Sequence, residues 1–495
     1  MISMLYANYS KKNIMLNSNE NTLRQKLFKA EGIKVLYTFF LISLFLISYI
    51  IVKSQYLFIE NSQANSVLVI CGFILPFVLW NFYFNQVRVD LINLSLIVLF
   101  LFSGSHSVLS LFGMESNAFF LNTTVREFDI FKASIIVILG VNFFVLGAMY
   151  SNSRRSLKQN KIIKSDLLSG FKTVNYVGII TLIIGAVSFL ISFDSTILSS
   201  SYKNFGSETT LDLIWQTLLP VSGFVLMLSN DKLIRNLGIS VCLFLSVYYL
   251  LLGNRGYSIS LLLTFIWLYS FKIKRMKIIK FILIGIVLLF ISSIFYQLKS
   301  STVQEKLQLS SYTIEDSPVV ATLEEGSTTF RSILYTSLSV PESKDYELGE
   351  SYFWAFTTII PNIFGLENHP STQYTNPSEW LGLKYDKHQM EIGNGFGFSI
   401  IAESYYNFGL IGVVFIMFLV GYLINKYQIR VIINNNLYYT VIIAIISHNF
   451  FWSVRNIAQS VVRPIAWEII ALLIGIMIYR FLSQKPRVLK PKSTH

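Results

Sequence analysis

Twelve apolar runs, each about the 20 residues needed to cross a bilayer, decide what this sequence can fold into. They fall at roughly 34–52, 66–84, 89–112, 131–150, 173–192, 211–229, 234–252, 256–272, 277–298, 398–425, 437–453 and 464–482. A segment inside hydrocarbon finds no water for its backbone N–H and C=O groups, so it satisfies them within a helix. The expectation is an all-α, polytopic integral membrane protein with about 12 transmembrane helices. Composition agrees. Of 495 residues, 53% are hydrophobic and 14% charged, against about 25% charged in soluble proteins. A soluble enzyme, a nucleic-acid binder and a disordered scaffold are excluded. The net charge of +13 is read as Lys and Arg gathered beside anionic lipid headgroups, with membrane lipid rather than nucleic acid as the partner. Cys71 and Cys242 both lie in apolar runs and make no disulfide framework.

Orientation follows from basic residues. With the N-terminus inside, the inner segments hold 27 of the 40 Lys and Arg, most densely at 154–172 and 272–280. This bias places both termini in the cytoplasm. The chain then divides into a cytoplasmic segment 1–33, helices 1–9 over 34–298, a large periplasmic loop over 299–397, helices 10–12 over 398–482 and a cytoplasmic tail 483–495. Gly253-Asn254-Arg255-Gly256 reads as the tight turn that keeps two adjacent spans apart. The long loop carries 13 acidic and six basic residues, and a connection of that length is usually functional. Within it, Tyr352 to Phe364 is too short to span and reads as interfacial or re-entrant.

The span cores hold almost no ionisable residues, which argues against an ion pathway or proton relay. Titratable groups gather instead at the outer ends. Arg255 sits in the four-residue turn, and Arg455 and Arg463 bracket the last outer loop in Ser-Val-Arg-Asn-Ile-Ala-Gln-Ser-Val-Val-Arg-Pro. Each arginine alone could snorkel to a headgroup or pair with a carboxylate. Together their planar forks suit bidentate binding of phosphate oxygens, as in a lipid-linked pyrophosphate. Gly393-Asn394-Gly395-Phe396-Gly397 resembles a G-x-G fingerprint, but no strand precedes it, so dinucleotide binding is rejected. Shortly into the following helix stands Glu403, with Tyr406 and Asn407 at i+3 and i+4 on nearly the same face. Glu403 is a candidate general base on the acceptor side, or a structural hydrogen-bond acceptor. His448 is a second catalytic candidate, or a satisfied core histidine. No HExxH, CxxC, P-loop or DxD pattern occurs, so no cofactor and no metal ligands are assigned. Glu127-Phe128-Asp129 remains an isolated acidic pair.

GFGFSIIAESYYNFGLIG at a helix entry, the long loop before it, GNRG after a helix end and RNIAQSVVRP near the C-terminus resemble the O-antigen polymerase (Wzy) family. The resemblance implies a metal-independent glycosyltransferase similar to the GT-C type in the bacterial inner membrane. Such an enzyme moves a growing glycan from undecaprenyl pyrophosphate onto a lipid-linked repeat unit at the outer face. It also implies Arg255, Arg331 and Arg455 as pyrophosphate ligands, Glu403 on the acceptor or base side, and a chain-length regulator as a protein partner. An O-antigen ligase would share donor and face. A lipid-linked oligosaccharide flippase, the alternative from another class, would want polar residues along a central cavity.

Overall fold

The computed structural model describes residues 30–54, 62–84, 90–114, 125–151, 167–193, 210–273, 318–360, 362, 369, 373–391, 397–434 and 436–483. Among the described residues, nine helices are long and apolar enough to cross a membrane, and two shorter apolar ones accompany them. They coincide with eleven of the twelve expected runs. The twelfth, 277–298, lies outside the described residues, as do most of the basic segments used for orientation. In chain order the helices are α1 (Ala30–Ser54), α2 (Ser62–Leu79), α3 (Leu91–Leu111), α4 (Glu127–Ser151), α5 (Leu167–Ser192), α6 (Thr210–Met227), α7 (Lys232–Leu251) and α8 (Arg255–Leu268). Then come α9 (Pro318–Ser339), α10 (Glu350–Thr357), α11 (Pro377–Tyr385), α12 (Lys387–Glu391), α13 (Ile400–Asn434), α14 (Leu437–Ser453) and α15 (Gln459–Ser483).

The capping residues explain where several helices start. Asp90, Asp231, Asn254 and Asn436 each accept a backbone N–H from the first turn that follows them, satisfying donors the helix leaves free. Asn254 therefore separates α7 from α8, as the turn sequence predicts.

α4 is the hub and is buried along nearly its whole length. Its Asn142 donates to the Gly72 carbonyl of α2 at 2.9 Å and accepts from Tyr37 of α1 at 2.5 Å. Such polar ties join helices where water offers no alternative. Against α13 the two backbones touch. A Cβ on Gly147 would lie 1.9 Å from the Phe418 carbonyl oxygen, and one on Gly421 would lie 1.8 Å from that of Phe144. The outer faces of α1 and α15 expose large apolar side chains such as Leu36, Phe39 and Phe481, the arrangement lipid favours.

Part of the expected loop 299–397 is built into this bundle. α9 carries Ser, Thr and Glu among its apolar residues, yet it packs against α3 and α4. The Phe330 ring stacks on His106 of α3 at 5.1 Å. Lys132 of α4 donates to the Ser337 carbonyl at 2.6 Å, near the C-terminus of α9, where a cation is favoured. α10 occupies the start of the stretch read as interfacial. It buries Ser351 and Ala355 and exposes Phe353 and Phe356.

Candidate active site

The two arginines nearest the chain turns meet on one carboxylate. Arg255, the first residue of α8, pairs through Nη1 with Oε2 of Glu325 on α9. Arg455, in the turn after α14, donates from Nη1 to Oε1 of the same carboxylate at 2.6 Å. Residues 70 and 130 positions away in the chain thus converge on Glu325, which is 9% exposed. Arg331 stands under two turns further along α9. Burial pushes its guanidinium below the ordinary range; Asp386 and Tyr335 oppose that push, and the like charge of Arg455 adds to it. Arg255 is buried, whereas the Arg455 side chain keeps 30% exposure. Two guanidiniums thus share one carboxylate, and Arg331 stands within electrostatic reach of Arg455 and Asp386. Phe102 of α3 forms one wall, 5.9 Å from the Arg455 guanidinium.

A second network fixes the loop that carries Arg455. Gly409 has φ +62 and ψ −150, so α13 breaks there, and the piece holding Glu403 runs separately from Ile400 to Phe408. Only glycine adopts this backbone readily, and a Cβ would also lie 2.9 Å from the Tyr346 hydroxyl. From this piece Glu403 reaches the arginine loop. Its Oε2 accepts the Ala458 N–H at 2.6 Å, and its Oε1 accepts the Ser351 hydroxyl at 2.8 Å. Next to it the Phe398 N–H donates to the Arg455 carbonyl at 3.3 Å. Asn407 donates to Ser351 Oγ at 2.7 Å and accepts the Gly349 N–H at 2.9 Å, so it pins the turn before α10.

Tyr406 points into a third cluster. Its hydroxyl donates to Glu347 Oε1 at 2.5 Å, the Tyr374 hydroxyl donates to Oε2 at 2.5 Å, and Lys344 also donates to Oε1. The Lys344 ammonium lies 4.9 Å from both the Trp380 and Tyr406 ring centres, a cation–π arrangement.

The remaining candidates lie elsewhere. His448 is fully buried between α8 and α14, with Nδ1 2.9 Å from Ser260 Oγ and its ring edge-on to Tyr257 at 4.6 Å. Arg463 sits half-buried near the start of α15, and among the described residues it has no ion pair. Asp129 is occupied by Arg126, at 3.0 Å to both oxygens.

The family comparison agrees with this architecture: the model of the O-antigen polysaccharide polymerase Wzy matches residues 33–485. The chain belongs to that family. Curated proteins and solved structures yield no match. As a Wzy-family protein it is a multi-pass membrane polymerase that acts on lipid-linked oligosaccharide repeat units.

Sequence reading singled out Arg255, Arg331 and Arg455 but missed the groups that organise them. Glu325 left one signal: Glu324-Glu325 is an acidic pair in an otherwise nearly uncharged stretch leading to Arg331. Ser351 left none, because Glu403 and Asn407 lie 52 and 56 positions away, and Glu347 left none beyond a local Lys344, since Tyr374 and Tyr406 lie 27 and 59 positions away.

Proposed function

We propose that this Wzy-family protein transfers a growing glycan from undecaprenyl pyrophosphate to a lipid-linked repeat unit. The reaction takes place at the periplasmic face of the inner membrane, and both termini are cytoplasmic. The observation that carries this reading is the meeting of Arg255 and Arg455 on one buried carboxylate, with Arg331 alongside. Such a constellation is made for an anion with several oxygens.

In the reaction an acceptor hydroxyl oxygen attacks the anomeric carbon. The carbon–oxygen bond to the pyrophosphate breaks, and its electron pair stays on the departing phosphate oxygen. The hydroxyl proton leaves to water or to that oxygen. The arginines stabilise charge where it develops, in a site with little water. They supply the positive charge a divalent cation would otherwise bring, so the reaction needs no metal. The half-buried Trp380 and Tyr374 beside Glu347 offer rings and acceptors to neutral sugars, and the buried Tyr406 backs them.

Glu403 acts in this reading as a positioning residue: both carboxylate oxygens hold neutral donors, and one of those donors belongs to the Arg455 loop. The base role expected from sequence makes a different prediction for Glu403→Gln, given below. His448 supports the α8–α14 contact.

The test is purified protein with lipid-linked repeat units in excess EDTA, where polymer should form. Strict dependence on Mg²⁺ or Mn²⁺ would contradict the reading. Deletion should leave single capped repeat units at the cell surface; loss of all surface glycan would indicate a ligase.

A further inference from the structure

The Glu325 carboxylate occupies the place where two guanidiniums converge. Each of its oxygens takes one Nη1 donor, Oε2 from Arg255 and Oε1 from Arg455, as two oxygens of a phosphate would. The helix carrying it is anchored on both sides, by Phe330 on His106 and by Ser337 on Lys132. The same helix presents Arg331. A negative charge is therefore built into a site whose work is to hold another negative charge.

We propose that Glu325 is an internal counter-anion that holds the arginine site between turnovers and sets it against the pyrophosphate product. This rests on the reading that Arg255 and Arg455 bind the lipid pyrophosphate. The reason lies in the charge balance. The donor is a pyrophosphate diester with two ionisable oxygens. Once the anomeric bond breaks and the electron pair stays on oxygen, the lipid product is a monoester with a third. Three guanidiniums alone would bind that product more tightly than the next donor, and the enzyme would stall on it. A carboxylate sharing the same guanidiniums repels the more charged ligand more strongly. It also reoccupies the cations as the product leaves, so the buried Arg255 and its partly exposed partner Arg455 are not left uncompensated. Glu325 thus sets the preference between donor and product without touching the reacting carbon.

The test compares binding of undecaprenyl pyrophosphate and of the undecaprenyl-pyrophosphate-linked glycan that serves as donor by the full-length protein in detergent micelles. Wild type should bind the product no more tightly than the donor, despite the extra charge. Glu325→Gln keeps the shape and removes the charge, so its product affinity should rise about tenfold or more, the effect of one charge pair. In transfer assays that variant should show a burst of about one bond per site, followed by a slow steady state limited by product release. Glu325→Asp, whose shorter side chain reaches one arginine, should lie between the two.

A merely structural role predicts the opposite sign, because loss of a strut weakens binding. Weaker product binding in both variants overturns the proposal. So does a wild type that already prefers product over donor by about tenfold, and that measurement needs no variant to fold. If Arg255→Ala and Arg455→Ala both leave product binding unchanged, the pyrophosphate reading itself has failed, and this proposal with it.

Discussion

Glu325 and Glu403 are both buried carboxylates in this half of the bundle, and they are held in opposite ways. Glu325 lies between two guanidiniums, while Glu403 takes its hydrogen bonds from a backbone N–H and a serine hydroxyl. Cations can exchange one anion for another, so in the proposed reading the Glu325 region accepts a charged ligand. A backbone N–H belongs to its loop and cannot be handed over without moving that loop. The Glu403 region is therefore support, and what it supports is the segment carrying Arg455. In that reading charged partners mark the site, and neutral partners mark its frame.

The largest effect that can break this distinction is expected at the arginines. Arg255→Ala and Arg455→Ala should each lower single-turnover transfer by about 10²–10³, the loss typical of removing one donor to a developing oxyanion. Arg→Lys should recover little, since an ammonium cannot reproduce the fork.

Glu403 sharpens the comparison next. If it is frame, Glu403→Gln still accepts the Ala458 N–H through its carbonyl and presents its amide to Ser351, so transfer should fall less than about tenfold. Glu403→Ala leaves the Ala458 N–H unsatisfied and should cost about 1–3 kcal/mol of stability. A fall of about 10²–10⁴ in Glu403→Gln, with donor binding intact, would make Glu403 the base and erase the distinction.

Gly409→Ala should lower thermal stability by an amount matching about 1–3 kcal/mol, the cost of a forced backbone conformation. Its effect on transfer should track the tilt of the Glu403 helix. Tyr406→Phe removes one hydrogen bond to Glu347 and should cost only about 1 kcal/mol. A larger loss of transfer there would move the acceptor surface closer to the reacting carbon.

The spans were legible because bilayer thickness imposes a length that apolar runs display directly, and Asn254 announced the turn between α7 and α8. α9 was not legible as part of the bundle. Its Ser, Thr and Glu residues resemble loop composition, and the groups that bury it, His106 and Lys132, are far away in the chain. Arg255, Arg455 and Arg463 were singled out because the type of side chain narrows the chemistry, whereas Arg331 entered only through the family resemblance. Glu325 was missed because its meaning depends on contacts 70 and 130 positions distant. The break at Gly409 was hidden inside an apolar run, where only the backbone angles reveal it.

In the proposed reaction Arg255 and Arg455 together hold a lipid pyrophosphate. The most direct measurement is calorimetric binding of undecaprenyl pyrophosphate to wild type, Arg255→Lys and Arg455→Lys, each first checked for normal folding. The account predicts that both variants bind at least about tenfold more weakly, and that the affinity of wild type falls as salt rises. Wild-type affinity in both lysine variants would contradict it.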